Sequence, residues 1–355
     1  MSVGRHTGTE TYTLQLLKAL AELDVSDPMR VYLNAVRPPV APLPGEPRCI
    51  PFPRLWTHVR LSAEIVQHRP SVLFVPAHVV PLVHPRSVVT IHDLGYLHVP
   101  EAHPPRQRRL LDLTTRWSVH AAQRVIAISE VTARDLREQY RVPDSKIVVV
   151  HHGISDKFGP VASDEIESIR THFDLPSRYV LAVGTIQPRK NYGRLAQAVA
   201  ALNRRGNALT LVIAGKRGSL ADQVLRDIAE SGIGDRVRVL DYVEDRALPA
   251  LYAGAAVFCQ PSLYEGFGLP VIEAMACGAP VVASSSSSLP EVCGDAALLV
   301  DPLDSDAFAS GIARVLDDSV LRAELVDRGR IRSTVFTWQS CAEKTLRVLR
   351  TVRDG

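Results

Sequence analysis

Short runs of β-branched and other apolar residues alternate along this chain with longer stretches in which apolar positions recur at helical spacing. The run Val88-Val89-Thr90-Ile91 is apolar at almost every position, which is typical of a strand covered on both faces of a parallel sheet. Strands of this kind that alternate with amphipathic helices indicate repeated βαβ units. The sequence therefore predicts an α/β protein built on parallel sheets.

The alternation occurs twice, once in each half of the chain. In the first half we predict strands at residues 29–36, 71–75, 87–92, 124–129 and 146–151, and helices at 12–23, 106–121 and 131–140. In the second half the predicted strands are 179–185, 209–214, 236–243, 256–261, 280–283 and 297–300, and the predicted helices are 192–202, 220–231, 248–253, 269–277, 306–316, 321–328 and 341–352. Seven prolines between Pro38 and Pro53 predict a loop-rich crossing, and the serine run 284–288 is interpreted as a loop.

The break between the two halves lies in residues 153–178, where Gly159, Pro160 and Pro176 flank a polar helical stretch. We predict two Rossmann-like, doubly wound domains that face each other across a cleft, one formed by residues 1–158 and the other by 159–340. The closing helix within 341–355 is expected to pack back towards the first domain. Doubly wound sheets bind ligands at the carboxyl ends of their strands, so the loops that follow the strands are the candidate site.

Charge is unevenly divided between the halves. The formal net charge of the whole chain is only +3, which argues against a nucleic-acid binder with a strong basic field. Residues 1–158 contain 19 Lys and Arg and 14 Asp and Glu, whereas residues 159–355 contain 22 and 24. The mildly basic first half, with Arg106, Arg108, Arg109 and Arg116, suits an anionic acceptor or a membrane surface; a solvated face is the alternative.

Cysteine usage and hydropathy bear on the compartment. The five cysteines are scattered and lack C-x-x-C spacing, so they indicate buried thiols in a reducing compartment instead of a disulfide or zinc framework. No basic-then-apolar signal opens the chain. No apolar run reaches the roughly 18–20 residues that a membrane span needs. We expect a cytoplasmic protein whose contact with the inner face of the membrane, if it has one, is peripheral.

The sharpest motif is Pro261-Ser-Leu-Tyr-Glu265-Gly-Phe-Gly-Leu-Pro-Val-Ile-Glu273, a strand end, a glycine-containing loop and the start of a helix. Gly266 and Gly268 remove side chains where the backbone must approach a ligand closely. The helix that begins near Leu269 offers unpaired N–H groups and a positive dipole end, which suit a diphosphate. Acidic residues placed for helix-dipole reasons alone would not require so specific a loop.

This motif resembles the E-x7-E element of the retaining glycosyltransferases of family 4, which have the two-domain GT-B fold, and the likeness extends along nearly the whole chain. The resemblance implies that Glu265 contacts the transferred sugar and that Glu273 holds the ribose. It also implies that backbone amides of Gly266, Phe267, Gly268 and Leu269 hold donor oxygens.

A second candidate loop, Val183-Gly-Thr-Ile-Gln-Pro-Arg189-Lys190-Asn191, follows the first strand of the second domain. Two adjacent cations at a strand-to-helix turn are suited to a diphosphate leaving group, and a solvated basic turn is the alternative. Lys190 matches the lysine of the family. Thr185 stands where the family commonly has arginine, so Arg189 is expected to supply the second charge. Val243, at the end of the predicted strand 236–243, is expected to line the donor site.

Three segments of the first domain are weaker candidates. Thr90-Ile-His92-Asp93-Leu94 follows a strand and resembles the family's His-Asp loop near the reacting sugar, which makes His92 and Asp93 candidate catalytic residues; a structural histidine and a capping aspartate are the alternative. The flexible turn from Gly4 to Tyr12 matches the loop that closes over the diphosphate, through Gly8 and Thr9. Ile128-Ser129-Glu130 and His152-Gly153 also end strands.

The sequence contains no Asp-x-Asp element after a strand and no His/Cys cluster with metal-ligand spacing. We therefore expect no metal and no cofactor, since the nucleotide-sugar is a substrate and Lys190, Arg189 and a helix N-terminus meet the leaving-group charge. No second in-line carboxylate argues for inversion, and retention is what the resemblance implies.

The predicted function is transfer of a hexose from a nucleoside-diphosphate sugar to a hydroxyl of a sugar or lipid-linked saccharide acceptor. The loops at Arg189 and His92 resemble those of bacterial mannosyltransferases of surface-polysaccharide assembly, which makes GDP-mannose the first candidate donor. A GT-B epimerase and a non-catalytic nucleotide-sugar-binding protein are the alternatives. A dinucleotide oxidoreductase is disfavoured because no G-x-G-x-x-G follows an early strand.

The start of the first domain carries one further expectation. A Rossmann-like domain begins with a strand that precedes its first Gly-rich loop, yet only Met1-Ser2-Val3 precede the loop at Gly4–Thr9. A strand of typical length has about five or six residues. We therefore predict a chain truncated at its N-terminus, and either an open position in the first sheet or a substitute segment that fills it.

Overall fold

The computed structural model describes residues 8–23, 27–39 and 41–355. The chain forms two compact units. The first comprises the chain up to Leu94, Arg106–Gly153 and Thr337–Gly355, and the second comprises Gly95–Pro105 and Ile154–Phe336. The boundaries expected from the sequence were 158/159 and 340/341, whereas the chain crosses between the units at 153/154 and 336/337. The excursion of residues 95–105 into the second unit has no counterpart in the sequence pattern.

The first unit contains two parallel sheets. A two-stranded sheet pairs β1 (Arg30–Leu33) with β2 (Glu46–Cys49), and a four-stranded sheet has the order β3 (Val72–Val75), β4 (Arg86–Ile91), β5 (Arg124–Ala127), β6 (Ile147–Val149). The first two helices of this unit are α1 (Gly8–Glu22) and α2 (Ser62–Gln67), which is preceded by a π-helical turn, Trp56–Leu61. The four-residue helix α3 (Gly95–His98) lies in the segment 95–105 that belongs to the second unit. The first unit continues with α4 (Pro105–Ala121), α5 (Glu130–Tyr140) and the last helix of the chain, α14 (Trp338–Asp354).

The prediction of a loop-rich crossing between Pro38 and Pro53 was wrong in one respect, because strand β2 lies within that segment. Its register places Pro47 opposite Val31, and β1 is the neighbour with which β2 pairs. A proline lacks the N–H that an interior strand would donate, so it is tolerated on an edge strand. The proline-rich composition therefore concealed a strand that only a sheet edge can accept.

A cavity of about 1150 Å³ separates the two sheets of the first unit. Its lining includes β1, the segment from Val72 to Val79, and Leu17 and Leu20 of α1. The facing edges of β1 and β3 are not hydrogen-bonded to each other. The sequence predicts either an open position in the first sheet or a substitute segment, and residues 1–7, which bear on this prediction, lie outside the described part of the chain.

The core of the first unit joins its earliest and latest helices. Tyr12 and Leu16 of α1 are fully buried against Val88 and Ile126 of the sheet, and Cys341 of α14 belongs to the same cluster. The C-terminal helix thus packs in the first unit, because its apolar stripe completes a core that the preceding strands leave uncovered.

The second unit contains one six-stranded parallel sheet with the order β12-β11-β10-β7-β8-β9. These strands are β7 (Tyr179–Val183), β8 (Thr210–Ala214), β9 (Val237–Asp241), β10 (Val257–Gln260), β11 (Val281–Ser284) and β12 (Leu298–Val300). The helices are α6 (Ser163–His172), α7 (Tyr192–Arg204), α8 (Ala221–Glu230), α9 (Leu248–Ala253), α10 (Leu269–Ala276), α11 (Leu289–Cys293), α12 (Ser305–Asp317) and α13 (Ser319–Ser333). Strands β7 and β8 are buried at every residue, as expected for a sheet covered on both faces.

All five cysteines are free thiols, and four of them are buried. Within the part of the chain that the structure describes, no helix has the length and apolarity needed to span a bilayer.

Candidate functional site

The order of the second sheet brings the two predicted donor loops together. Strand β10 pairs in parallel with β7, so the loops that leave their carboxyl ends emerge side by side. One loop carries Arg189 and Lys190 in a short 3-10 turn, and the other carries Glu265. The amide of Leu263 donates to the carbonyl oxygen of Arg189 at 2.9 Å and fixes the two loops to each other.

Glu265 lies at the centre of this site and is almost fully buried. Lys190 Nζ donates to its Oε1 at 2.6 Å, and Arg189 Nη1 donates to its Oε2 at 3.0 Å. The Oε1 atom also accepts from Ser262 Oγ at 2.6 Å and from Gln260 Nε2 at 2.7 Å. Burial disfavours the charge of Glu265, but the charges of Lys190 and Arg189 outweigh it and lower its pKa to about 2. The carboxylate is therefore ionised throughout the neutral range.

The two cations differ in setting. Lys190 is buried, and its side chain is 6% exposed against 17% for Arg189. Arg189 also donates from Nη1 to the carbonyl oxygen of Tyr264 at 2.9 Å, which ties its guanidinium to the neighbouring loop. Gly184 has φ +144°, and a Cβ there would lie 2.8 Å from Lys190 Nζ. The ammonium group thus occupies space that a side chain at position 184 would take.

The turn between strand β10 and helix α10 depends on Gly268. This residue has φ +109°, and a Cβ there would lie 2.9 Å from Leu289 Cδ2, so both the backbone conformation and the space favour glycine. Helix α10 begins at the next residue, and Pro270 lies in its first turn, where its missing N–H costs nothing. The ring of Phe267 packs edge-on against Phe336.

The serine run forms the predicted loop over residues 285–288, whereas Ser284 is the last residue of β11. The loop has a role that the sequence did not reveal. Ser286 Oγ donates to the carbonyl oxygen of Leu263 at 2.9 Å. Ser287 Oγ accepts from the amide of Glu265 at 2.7 Å, and the Ser288 hydroxyl lies within hydrogen-bonding distance of the carbonyl oxygens of Glu265 and Phe267, at 2.9 and 2.8 Å. Because β11 pairs with β10, the run follows the next strand of the sheet and holds the Glu265 loop from its other side.

Glu273 lies on α10, one turn beyond the loop. Tyr252 Oη donates to its Oε2 at 2.8 Å. Burial raises the pKa of Glu273 to about 7, against the opposing effects of the Tyr252 hydrogen bond and of Lys157. Glu265 and Glu273 share a motif, yet their surroundings separate their proton affinities: one faces two cations, whereas the other has a neutral phenol as its hydrogen-bond donor.

Two further predicted donor residues lie near the ends of β7 and β9, the strands on either side of β8. Thr185 directly follows Gly184 after β7, and its Cγ2 lies 2.6 Å from where a Cβ of Gly218 would be. Val243 is buried two residues beyond the end of β9. Strand β9 is shorter than the predicted strand 236–243, so Val243 belongs to the following loop.

The first unit gathers an aromatic and histidine cluster at the ends of its strands. His92 follows β4, and its Nε2 donates to the carbonyl oxygen of Pro76 at 2.7 Å. Tyr12 lies edge-on to His92 with ring centroids 4.6 Å apart, and its centroid is 4.7 Å from that of His152. Burial, with a contribution from His78, lowers the pKa of His92 to about 3. His92 is therefore neutral near pH 7 and offers Nδ1 as an acceptor.

The other candidate residues of the first unit lie at the starts of helices α1 and α5 and next to His92. Gly8 and Thr9 lie in the first turn of α1, which begins four residues earlier than predicted. The prediction of a flexible turn from Gly4 to Tyr12 was therefore wrong over residues 8–12. Its residues 4–7 lie outside the described part of the chain. Ser129 caps α5 by accepting from the amide of Thr132 at 3.2 Å, which is the ordinary role of serine at this position. Asp93 directly follows His92, and its charge opposes the lowering of the pKa of that histidine.

Comparison with known proteins adds to this geometry. The family described as glycosyl transferases group 1 matches residues 164–332, and the one described as Glycosyltransferase Family 4 matches residues 6–158. O-antigen chain mannosyltransferase B from Escherichia coli is 36% identical over 264 residues, which are 74% of this chain and 69% of that protein. This chain belongs to glycosyltransferase family 4.

One more relative of the glycosyltransferase and one solved structure with a similar fold extend the comparison. MMP alpha-(1->4)-mannosyltransferase from Mycolicibacterium hassiacum is 35% identical over 229 residues, 63% of this chain, and the chain spans only 53% of its length. HepE from Anabaena, whose structure holds UDP and glucose, superposes with a TM-score of 0.76 at 18% identity and covers 99% of this chain and 98% of its own. The glycosyltransferase therefore has the α/β fold with two Rossmann-like domains, as predicted.

Within the described part of the glycosyltransferase, no three His, Cys, Asp or Glu side chains are grouped so that they could hold a metal ion. The sequence located Arg189, Lys190, Glu265 and Glu273, and the structure brings the first three into contact. The sequence did not reveal that Gln260, Ser262 and the serine run are hydrogen-bond partners of the Glu265 loop. The position of those serines directly after a strand was the one signal that pointed to the site.

Proposed function

We propose that this glycosyltransferase transfers a hexose from a nucleoside-diphosphate sugar to an acceptor hydroxyl with retention of the anomeric configuration. The observation that carries the proposal is the buried group of Lys190, Arg189 and Glu265 beside the first turn of α10. Two relatives named as mannosyltransferases support mannose as the sugar, and GDP-mannose is the first candidate donor.

The ion pairs of Glu265 suggest how a donor binds. A diphosphate placed at the start of α10 meets unpaired N–H groups and the positive end of the helix dipole, contributed by Gly268 and Leu269. Lys190 and Arg189 then neutralise the phosphate oxygens. As their hydrogen bonds shift towards phosphate, the oxygens of Glu265 become available to hydroxyls of the sugar. Donor binding thus exchanges one set of partners for another without leaving a charge unpaired.

Departure of the nucleoside diphosphate develops negative charge on the leaving phosphate. Lys190, held at a fixed position by Glu265 and Gly184, supplies a preorganised positive charge at that point. We propose that this charge, with Arg189 and the helix terminus, serves in place of a divalent ion. Thr185, Val243 and the backbone of Gly266 and Phe267 complete the donor site in this proposal.

Residues of the first unit are proposed to act on the acceptor side and at the reacting sugar. Because His92 is neutral, it acts as a hydrogen-bonding group through Nδ1 and not as a charged acid. Asp93 is the neighbouring candidate, and Gly8 and Thr9 are proposed to meet the diphosphate at the start of α1. The acceptor is proposed to be a sugar or a lipid-linked saccharide, which the enzyme meets in the cytoplasm by peripheral contact with the membrane.

A donor panel tests the proposed function. The full chain is incubated with GDP-mannose, GDP-glucose, UDP-glucose and ADP-glucose, with and without EDTA, and both thermal stability and nucleotide release are measured. We expect GDP-mannose to stabilise the protein by about 2.7 kcal/mol at a hundred times its Kd and to release GDP slowly even with EDTA. Stabilisation without release, with or without an added saccharide acceptor, would indicate a non-catalytic binder. Loss of release on chelation, restored by Mg²⁺ or Mn²⁺, would refute metal independence.

We also expect a pH dependence of donor binding that depends on Glu273. Ribose hydroxyls donate to a carboxylate, so the donor favours the ionised form of a group whose pKa is about 7. Donor affinity should rise by about tenfold between about pH 6 and about pH 8, measured by titration calorimetry. Folding stability has the opposite trend, because an acid with a raised folded-state pKa loses stability as the pH rises from 4.5 to about 7.

Two variants serve as controls for that pH profile. Glu273→Gln should bind the donor more weakly with a flat profile, since no carboxyl remains to titrate. Tyr252→Phe removes the hydrogen bond that lowers the pKa of Glu273, so the rise should move to higher pH. A wild-type slope in Glu273→Gln would show that another group is responsible.

A further inference from the structure

We propose that His98 is a positioning residue of the donor site and that it acts on Glu265 through Tyr264. His98 lies in the excursion of residues 95–105, the segment that belongs to the second unit although its neighbours in the chain belong to the first. The proposal rests on the proposed function for the role of Glu265. It goes further by assigning a role to a segment outside the two donor loops.

The excursion is a closely packed segment of the second unit. Tyr96, Val99 and Ala102 are each at most 3% exposed. The 3-10 turn Pro100–Ala102 packs against Pro188–Lys190, the turn that carries the two cations of the donor site. The excursion thus supports one of the two donor loops directly.

The second donor loop is contacted by His98. Its ring stacks on the ring of Tyr264, with centroids 4.5 Å apart and 13° between the ring planes, which is a near-parallel arrangement typical of favourable aromatic pairs. Tyr264 is only 3% exposed, whereas His98 lies at the surface. The imidazole therefore covers a buried phenol ring, and its removal uncovers Tyr264 without opening a cavity inside the core.

Tyr264 connects this stack with the charged centre of the site. The peptide unit that joins Tyr264 to Glu265 is held at both of its polar groups. Its carbonyl oxygen accepts from Arg189 Nη1 at 2.9 Å, and its N–H donates to Ser287 Oγ at 2.7 Å. The stacked ring is a third support of the same peptide unit. Since small errors in the placement of a reacting group lower the rate of catalysis, loss of the stack should disturb the alignment of the Glu265 carboxylate.

Steady-state nucleotide release tests the role of His98. We expect His98→Ala to lower kcat by roughly three- to tenfold, which corresponds to the loss of one aromatic pair. Donor KM should stay within about twofold of the wild-type value, because Glu273 and the first turn of α10 are unchanged. His98→Phe keeps a planar ring and should retain most of the wild-type kcat.

The matched control is a second histidine of the excursion. His103 packs edge-on against Tyr96, with ring centroids 6.4 Å apart. His103→Ala should leave kcat and donor KM unchanged. A loss of kcat in His103→Ala equal to that in His98→Ala would indicate a general loosening of the excursion and would overturn the specific role of His98.

A double-mutant cycle determines whether His98 acts through Tyr264. Tyr264→Leu keeps an apolar side chain at this buried position but removes the ring. In that background His98→Ala should cause no further loss of kcat, because the stack is already absent. Additive losses, or a wild-type kcat in the single variant His98→Ala, would overturn the proposal.

Hydrogen exchange followed by mass spectrometry examines the same loop without any donor. Peptides that cover residues 261–268 should exchange faster in His98→Ala than in the wild type or in His103→Ala. If the wild type releases nucleotide from none of the donors, the proposed function fails, while faster exchange in His98→Ala still supports the positioning of the Glu265 loop. Unchanged exchange in His98→Ala would overturn that role even in an active enzyme.

Discussion

Replacing Lys190 with alanine is expected to lower turnover by about 10²–10³, the effect of removing one well-aimed charge from a leaving group. The buried ammonium of Lys190 has a fixed position beside Glu265 and Gly184. Arg189, which is more exposed and is also bonded to the carbonyl oxygen of Tyr264, should matter less, so Arg189→Ala should lower turnover by about tenfold or less. The measurement is the rate of nucleotide release at saturating donor.

The comparison of the two cations is the control for this prediction. Both variants remove one positive charge from the same loop, so they change the net charge of the site equally. If the position of the charge relative to the leaving phosphate matters, kcat should fall far more in Lys190→Ala than in Arg189→Ala, and donor KM should rise in both variants. Equal and mild losses in kcat would contradict the proposed role of Lys190 in the departure of the leaving group.

Glu265→Gln is expected to reduce both turnover and stability. The variant keeps the shape of the side chain but leaves Lys190 and Arg189 without their counter-charge. Removal of one member of a buried ion pair costs about 3–5 kcal/mol, and urea unfolding at neutral pH should show a loss of this size. Turnover should also fall, because the carboxylate that receives the sugar hydroxyls is gone.

The pH dependence of stability distinguishes this explanation from a packing defect. The pKa of Glu265 is lowered from 4.5 to about 2, so its contribution to stability is complete above pH 4.5 and is lost as the pH falls towards 2. Wild-type protein should therefore lose stability over that interval more steeply than Glu265→Gln. Parallel losses in the two proteins would show that the ion pairs contribute little. Ser288→Ala is a useful companion, because it loosens the same loop without changing its charge.

Sequence patterns predicted the strands of this protein well because buried parallel strands are apolar at nearly every position. Strands such as β7 and β8 are short, continuous and bounded by turn residues. Strand β2 escaped prediction because Pro47 and two charged residues made it look like a loop. An edge strand needs hydrogen bonds on one side only, and composition reports poorly on that kind of strand.

The candidate site was predictable in its residues but not in its contacts. The motif around Glu265 and the cations at 189 and 190 are local in sequence, so a pattern can find them. Their direct ion pairs follow from the order of strands in the sheet, where β10 lies beside β7 although many residues separate them. The serine run belongs to the same site for the same reason, since β11 is the next strand. Such partners depend on topology, which no short window of sequence contains.

The cavity between β1 and β3 has a consequence for how the first unit comes apart. The ribbon of β1 and β2 shares no backbone hydrogen bonds with β3 in the described structure, and a two-stranded ribbon alone is marginally stable. It should open in local fluctuations that leave the remaining four strands intact. Its amides should therefore exchange with solvent faster than those of β4 and β5. Because the opened edge of β3 is apolar, such fluctuations also expose a strand edge that can pair with a strand of another molecule. Aggregation of this enzyme is therefore expected to begin at the edge of β3.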